Sequence, residues 1–227
     1  MSHEDFCYIC AEPLAGTPQD SEHVIPANLF ERGRKTKGLI TLPAHKSCNQ
    51  SLSLDDEYFR LSMTARASPH DPVARKVWEG PTMRGFHRRD QPGLKIATLE
   101  NLHSAEVQTP AGIYLGNADV LLQEAERIQR VVNRITRGLF AHLTGNVLPM
   151  DWPVACDLIN PVAAKPVFDL LKIRLVPVGP AGVFEYGRGV LPTDERDGLF
   201  WMIFYGVVHF WGYTGNEIRN VLGVGHN

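Results

Sequence analysis

Cys7 and Cys10 are spaced C-x-x-C, and His45 and Cys48 are spaced H-x-x-C. Each two-residue gap lets a tight knuckle aim both ligands at one ion. Two such pairs, separated by a few tens of residues, make a tetrahedral Cys3His site for zinc. Thiolates and a neutral imidazole suit a borderline-soft d10 cation better than they suit magnesium. A thioredoxin-like redox pair competes for Cys7 and Cys10, but it wants a strand before it and a helix after it. Here Ala11-Glu12-Pro13-Leu14-Ala15-Gly16 follows, which reads as loop. Unrelated buried thiols would not explain why the second pair completes a four-ligand set. The fourth cysteine, Cys156, lies far along the chain and reads as a buried apolar residue.

Between the two pairs runs Ser21-Glu22-His23-Val24-Ile25-Pro26, and Asn49 follows the last cysteine directly. The order Cys-x-x-Cys, Glu-His-Val-Ile-Pro, His-x-x-Cys-Asn resembles the HNH endonucleases, the ββα-metal nucleases. It is most similar to the group in which an Asn after the last zinc ligand opens an acidic helix, here Cys48-Asn49-Gln50-Ser51-Leu52-Ser53-Leu54-Asp55-Asp56-Glu57. The resemblance covers about the first quarter of the chain and is carried by several short motifs in fixed order. It implies an N-terminal ββα-metal finger, stapled by zinc on Cys7, Cys10, His45 and Cys48. It implies His23 as the general base, since an imidazole titrates near neutral pH. It implies Glu22 and Asn49 as ligands of a second, catalytic ion, magnesium or manganese. Two departures stand out. Glu22 occupies a position where many members have aspartate, and the middle asparagine of the name-giving motif has no match between Pro26 and Leu42. Asp55 or Asp56 could add a ligand. Taken alone, His23 reads as a surface or capping histidine and Asn49 as a helix cap.

The elements that must hold these groups divide at Ser68-Pro69-His70-Asp71-Pro72, which breaks a helix starting near Leu54. Residues 1–66 form the expected finger, too poor in continuous apolar sequence to fold without a staple. Residues 73–227 form a second, mixed helix-and-strand domain. It opens with a short helix over 73–79 and a basic stretch with Arg84, His87, Arg88 and Arg89. A hairpin is expected over 106–115, turning at Pro110-Ala111-Gly112. The best helix spans 117–142, with Asn117 as its cap and Gly145 as its stop. On it Leu121, Ala125, Ile128, Val132, Ile135 and Leu139 form one apolar face. Arg127, Arg130, Arg134 and Arg137 fall roughly opposite, on an expected solvent face. Strands are expected over 173–178, 183–186 and 201–210, and the chain as a whole reads as α+β. Residues 137–145 and the later aromatic strand resemble the region that trails the finger in uncharacterised bacterial HNH proteins, which implies company and no function.

The 227 residues carry a net charge of −2, so no overall basic bias points to nucleic acid and only local patches do. Arg32, Arg34, Lys35, Lys37 and Lys46 form one such patch and the arginine row a second. Either could contact a phosphate backbone or be a solvated face. The chain opens on polar residues, and its most apolar stretch, 199–213, is too short to span a bilayer as a helix. A cytoplasmic location follows as an expectation. His87, His103, His142 and His209 show no ligand spacing and read as structural. The sequence thus leads to a DNA endonuclease dependent on a divalent metal. A zinc-finger binding module without catalysis, and a nuclease gated by a partner or by its own C-terminal part, are the rivals; residues 73–227 could also mediate a homo-oligomer or bind a protein partner.

Overall fold

The computed structural model describes residues 1–31, 38–86, 93–109, 111–180, 182–191, 194–217 and 220. The basic residues Arg32, Arg34, Lys35, Lys37, His87, Arg88 and Arg89 therefore lie outside the described residues.

Strand β1 (Gln19–His23) pairs antiparallel with β2 (Thr41–His45), setting Glu22 opposite Leu42 and His23 opposite Thr41. Helix α1 (Lys46–Ser51) follows β2 without a break, and α2 (Ser53–Ala67) continues from it. This β-β-α order is compatible with the expected finger. Asp71 caps α3 (Pro72–Val77) by accepting from the Ala74 N–H at 2.7 Å, with Pro72 at the first helical position. A π-helical turn over Trp78–Thr82 leads to α4 (Met83–Phe86), and α5 (Gly93–Glu100) comes next.

Strands β3 (Leu102–Gln108) and β4 (Tyr114–Leu121) form a hairpin, longer than the sequence suggests. It takes in Asn117 and Leu121, so the long helix α6 begins only at Ala125 and runs over Ala125–Thr144. Gly116, Asn117, Asp119 and Val120 are weak helix formers, and pairing with β3 satisfies their backbone instead. Gly145, at φ 73°, ends α6 as expected.

The rest is a five-stranded antiparallel sheet in the order β5 (Val154–Leu158), β9 (Val208–Thr214), β8 (Gly198–Phe204), β7 (Phe184–Val190), β6 (Val176–Val178). Helix α7 (Pro161–Leu170) packs on one face. Neither β5 nor α5 nor α7 was legible as such, although Asn160 and Pro161 carry a helix-start signature and the Asn160 side chain accepts from Val162 N–H. The expected single strand over 201–210 is two strands. Tyr205 and Gly206 take φ of 53° and 66° between them, and the Val207 N–H closes the turn on the Phe204 carbonyl. Such a turn needs left-handed backbone, which Gly206 adopts freely.

Both faces of this sheet are covered. Phe200, Met202, Phe204 and Phe210 face α2 and α6 in the main core, whereas Leu199, Trp211 and Tyr213 face Phe168 of α7. Strands buried on both sides have no polar face, which is why the stretch reads as one apolar run. The main core also contains Cys7, Tyr8, Val24, Leu42 and Ala44, so residues of the first sixty pack into one buried cluster with the sheet. One close contact lies at Gly138 of α6. A Cβ there would lie 2.6 Å from one methyl of Val24 and 3.0 Å from the Tyr8 ring. Gly138→Ala is expected to destabilise by about 1–3 kcal/mol through overpacking. Thermal melts check this, and an unshifted midpoint would mean that the helix slides freely at this contact.

Candidate metal centre and the buried charge cluster beside it

The first knuckle is shaped by its own backbone. The Ala11 N–H donates to the Cys7 carbonyl at 2.8 Å, and the Cys7 N–H donates to the Glu12 carbonyl at 2.9 Å. Ala11 turns the chain at φ 58°. This brings Cys7 and Cys10 to the end of β2 and the start of α1, where His45 and Cys48 stand. Their four ligand atoms all lie within 4.8 Å of one another. His45 Nδ1 is 3.3 Å from the Cys10 sulfur and 3.8 Å from the Cys48 sulfur. A zinc tetrahedron has edges of about 3.5–3.8 Å, given the usual zinc–sulfur and zinc–nitrogen bonds. The other ring nitrogen, Nε2, lies 3.0 Å from the Pro13 carbonyl. Donating there fixes the tautomer and leaves Nδ1 for an ion, the usual outer partner of a ligating histidine. Burial, together with the neighbouring thiols, pushes the Cys48 thiol up to about 12. Three thiols so close ionise together only against a cation, so the donor set fits zinc.

Glu22 and His23 are neighbours on β1 and differ in environment as strand alternation requires. Glu22 is buried and His23 half-buried. Asn49 is half-buried within α1, whose cap is His45, so the helix-cap alternative for Asn49 does not hold. Glu22 and Asn49 offer hard oxygen donors of the kind magnesium or manganese takes. Among the described residues, Glu22 belongs to no second group of three or more convergent His, Cys, Asp or Glu ligands.

What Glu22 meets is an arginine. Arg134, 4% exposed on α6, places Nη1 3.8 Å from Glu22 Oε1. The same guanidinium forks onto Asp56 of α2, Nη2 donating to Oδ1 at 2.5 Å and Nη1 to Oδ2 at 3.3 Å. Burial pushes the Glu22 carboxyl up to about 7; Arg134 pulls it down and Asp56 adds to the rise. Burial also raises Asp56, against the pull of Arg134. Tyr8, buried next to Cys7, faces the same three charges.

The arginine row is thus not a solvent face. Arg127 donates to Asp55 Oδ1 at 2.8 Å and to the Leu54 carbonyl, and its guanidinium lies 4.4 Å from the centre of the Tyr58 ring. Arg130 donates to Asp55 Oδ2 at 2.7 Å while remaining half exposed. Burial opposes ionisation of Asp55, but the Arg130 and Arg127 bonds outweigh it and hold its carboxyl below the usual range. Arg137 donates to the carbonyls of Leu148, Pro149, Met150 and Trp152. The sequence places Arg134 in an exposed row, whereas the fold buries it between Asp56 and Glu22. The signal available was its spacing from Val131 and Gly138, three before and four after, which puts it on a face of small and apolar residues. Lys46, at the start of α1, is exposed. Cys156 is buried as expected, with its thiol pushed up to about 12 by burial.

Fold and site together define a mixed α/β chain with a Cys3His cluster able to hold zinc beside a β-β-α-like N-terminal arrangement. No protein-family model matches the chain, and no curated protein or solved structure is similar to it at a significant level. Among the described residues, no helix is long and apolar enough to cross a membrane.

Proposed function

We propose that the chain is an HNH-type endonuclease that hydrolyses phosphodiester bonds in DNA. One observation carries the reading. The Cys3His cluster ties the first knuckle to the end of β2 and to α1, and the same β-β-α unit carries Glu22, His23 and Asn49 in the order the motif requires. His23 takes the proton from a water molecule, whose oxygen then attacks phosphorus as the bond to the 3′-oxygen breaks, and the released 3′-oxygen takes a proton from solvent. Glu22 and Asn49 would hold magnesium or manganese, which would supply polarisation of the scissile phosphate and charge balance at the leaving oxygen. The products are a 5′-phosphate and a 3′-hydroxyl, and zinc has no part in the chemistry.

A second reading is a zinc-stapled binding module without catalysis. It is favoured by the contact of Arg134 with Glu22, which engages the carboxylate within the protein. Supercoiled plasmid, incubated with wild type or His23→Ala in magnesium, manganese or nickel, separates the two. Wild type is expected to yield nicked and linear forms, and His23→Ala to cut about 10²–10⁴-fold more slowly, the usual contribution of a general base. Zinc content and melting temperature should match. Equal cutting by both proteins removes His23 from the mechanism. If neither cuts while both bind zinc and DNA, the binding-module reading replaces the enzyme.

A further inference from the structure

The guanidinium of Arg134 touches two elements of the first sixty residues from a helix that begins more than fifty residues after them. It forks onto Asp56 of α2 and stands 3.8 Å from Glu22 of β1. Its side chain is 4% exposed, so water does not compete for these contacts. One turn further along α6, Gly138 has no side chain, and the helix backbone comes up against Val24 and Tyr8. This close approach brings Arg134 within reach of β1.

We propose that Arg134 is a positioning residue of the nuclease site, holding the Glu22 carboxylate against Asp56 in the orientation that receives the divalent ion. The proposal rests on the nuclease reading above. A glutamate on a short edge hairpin has several free torsions, and an unheld carboxylate loses that freedom on binding an ion. Outer partners that fix ligating carboxylates remove this cost. An arginine suits the task, because its planar fork can grip Asp56 with two nitrogens while one of them faces Glu22; a lysine offers a single point charge. The site is then composite. Residues 1–66 carry the motif but lack the group that orders its acid, so a nuclease centre needs α6 as well.

The test uses the full chain with Arg134→Lys and, from the other side of the clasp, Asp56→Asn. Zinc content, melting temperature, manganese binding by electron paramagnetic resonance and plasmid cleavage against manganese concentration are measured together. Both variants are expected to keep zinc. They should need about tenfold or more manganese for half-maximal cutting, the usual cost of losing an outer-shell partner, and recover most of the wild-type rate at saturating metal. A purely structural arginine would lower the melting temperature and leave the half-saturating concentration of the folded protein unchanged; that result overturns the proposal, as does loss of fold in both variants. Wild type that neither binds manganese nor cuts defeats the nuclease reading itself. Wild type that does both, with variants equal to it, defeats only the role of Arg134.

Discussion

Stripping zinc with a strong chelator, or replacing Cys48 by serine, is expected to unfold the N-terminal β-β-α segment. Apart from its side chains in the shared core, that segment has little regular structure to hold it. Its sheet has two strands of five residues each, and a two-stranded hairpin alone is marginal in water. The cluster and the pairing of β1 with β2 close the loop from Cys10 to His45. Structural zinc supplies about 10–16 kcal/mol in comparable small fingers, as much as the whole stability of an ordinary domain at about 5–15 kcal/mol. Cys48→Ser removes one thiolate of the set and leaves His45 and the first knuckle without a complete tetrahedron. Metal analysis of the purified protein should find zinc, lost in the variant together with near-ultraviolet dichroism. Zinc-free protein that melts at the same temperature as the purified form would sink the assignment of a structural metal.

Phe59→Ala should have the next largest effect. Phe59 belongs to α2, the helix that continues the candidate finger, and is fully buried. Its ring packs edge-on against Phe204 at 5.2 Å and near Phe210 at 6.5 Å, residues of the β8–β9 hairpin. Truncation removes that burial, leaves a cavity and breaks an aromatic pair. The expected cost is about 3–5 kcal/mol, or a fall in melting temperature on the order of 10 °C for a chain of this size. Since one core holds residues from both parts of the chain, zinc release and loss of sheet structure should shift together in the variant. Two separate transitions, of which Phe59→Ala moves only one, would show that the finger and the sheet fold independently.

The Cys3His cluster could be read directly because its spacing signal is local. Two-residue knuckles have one geometry wherever they occur, and the four side chains converge as their spacing requires. The acidic helix after Cys48, its break near Ser68 and the end of α6 at Gly145 were legible for the same reason: each depends on a few neighbouring residues. The start of α6 was not. Residues 117–121 continue an apolar helical spacing, and the backbone bonds to β3 that make them a strand come from the other half of a hairpin.

The charges show the division most clearly. Residue order alone shows that four arginines lie along one helix and that two aspartates follow Cys48-Asn49. It also shows that Glu22 and His23 lie on opposite sides of a strand. Long-range packing sets Asp55 against Arg127 and Arg130, and brings Arg134 into the interior between Asp56 and Glu22. The physical reason is desolvation. A buried charge is tolerated only beside its partner, and which partner lies within reach depends on how closely α6 approaches β1 and α2. That approach is set at Gly138 by contacts between residues more than a hundred positions apart in the chain.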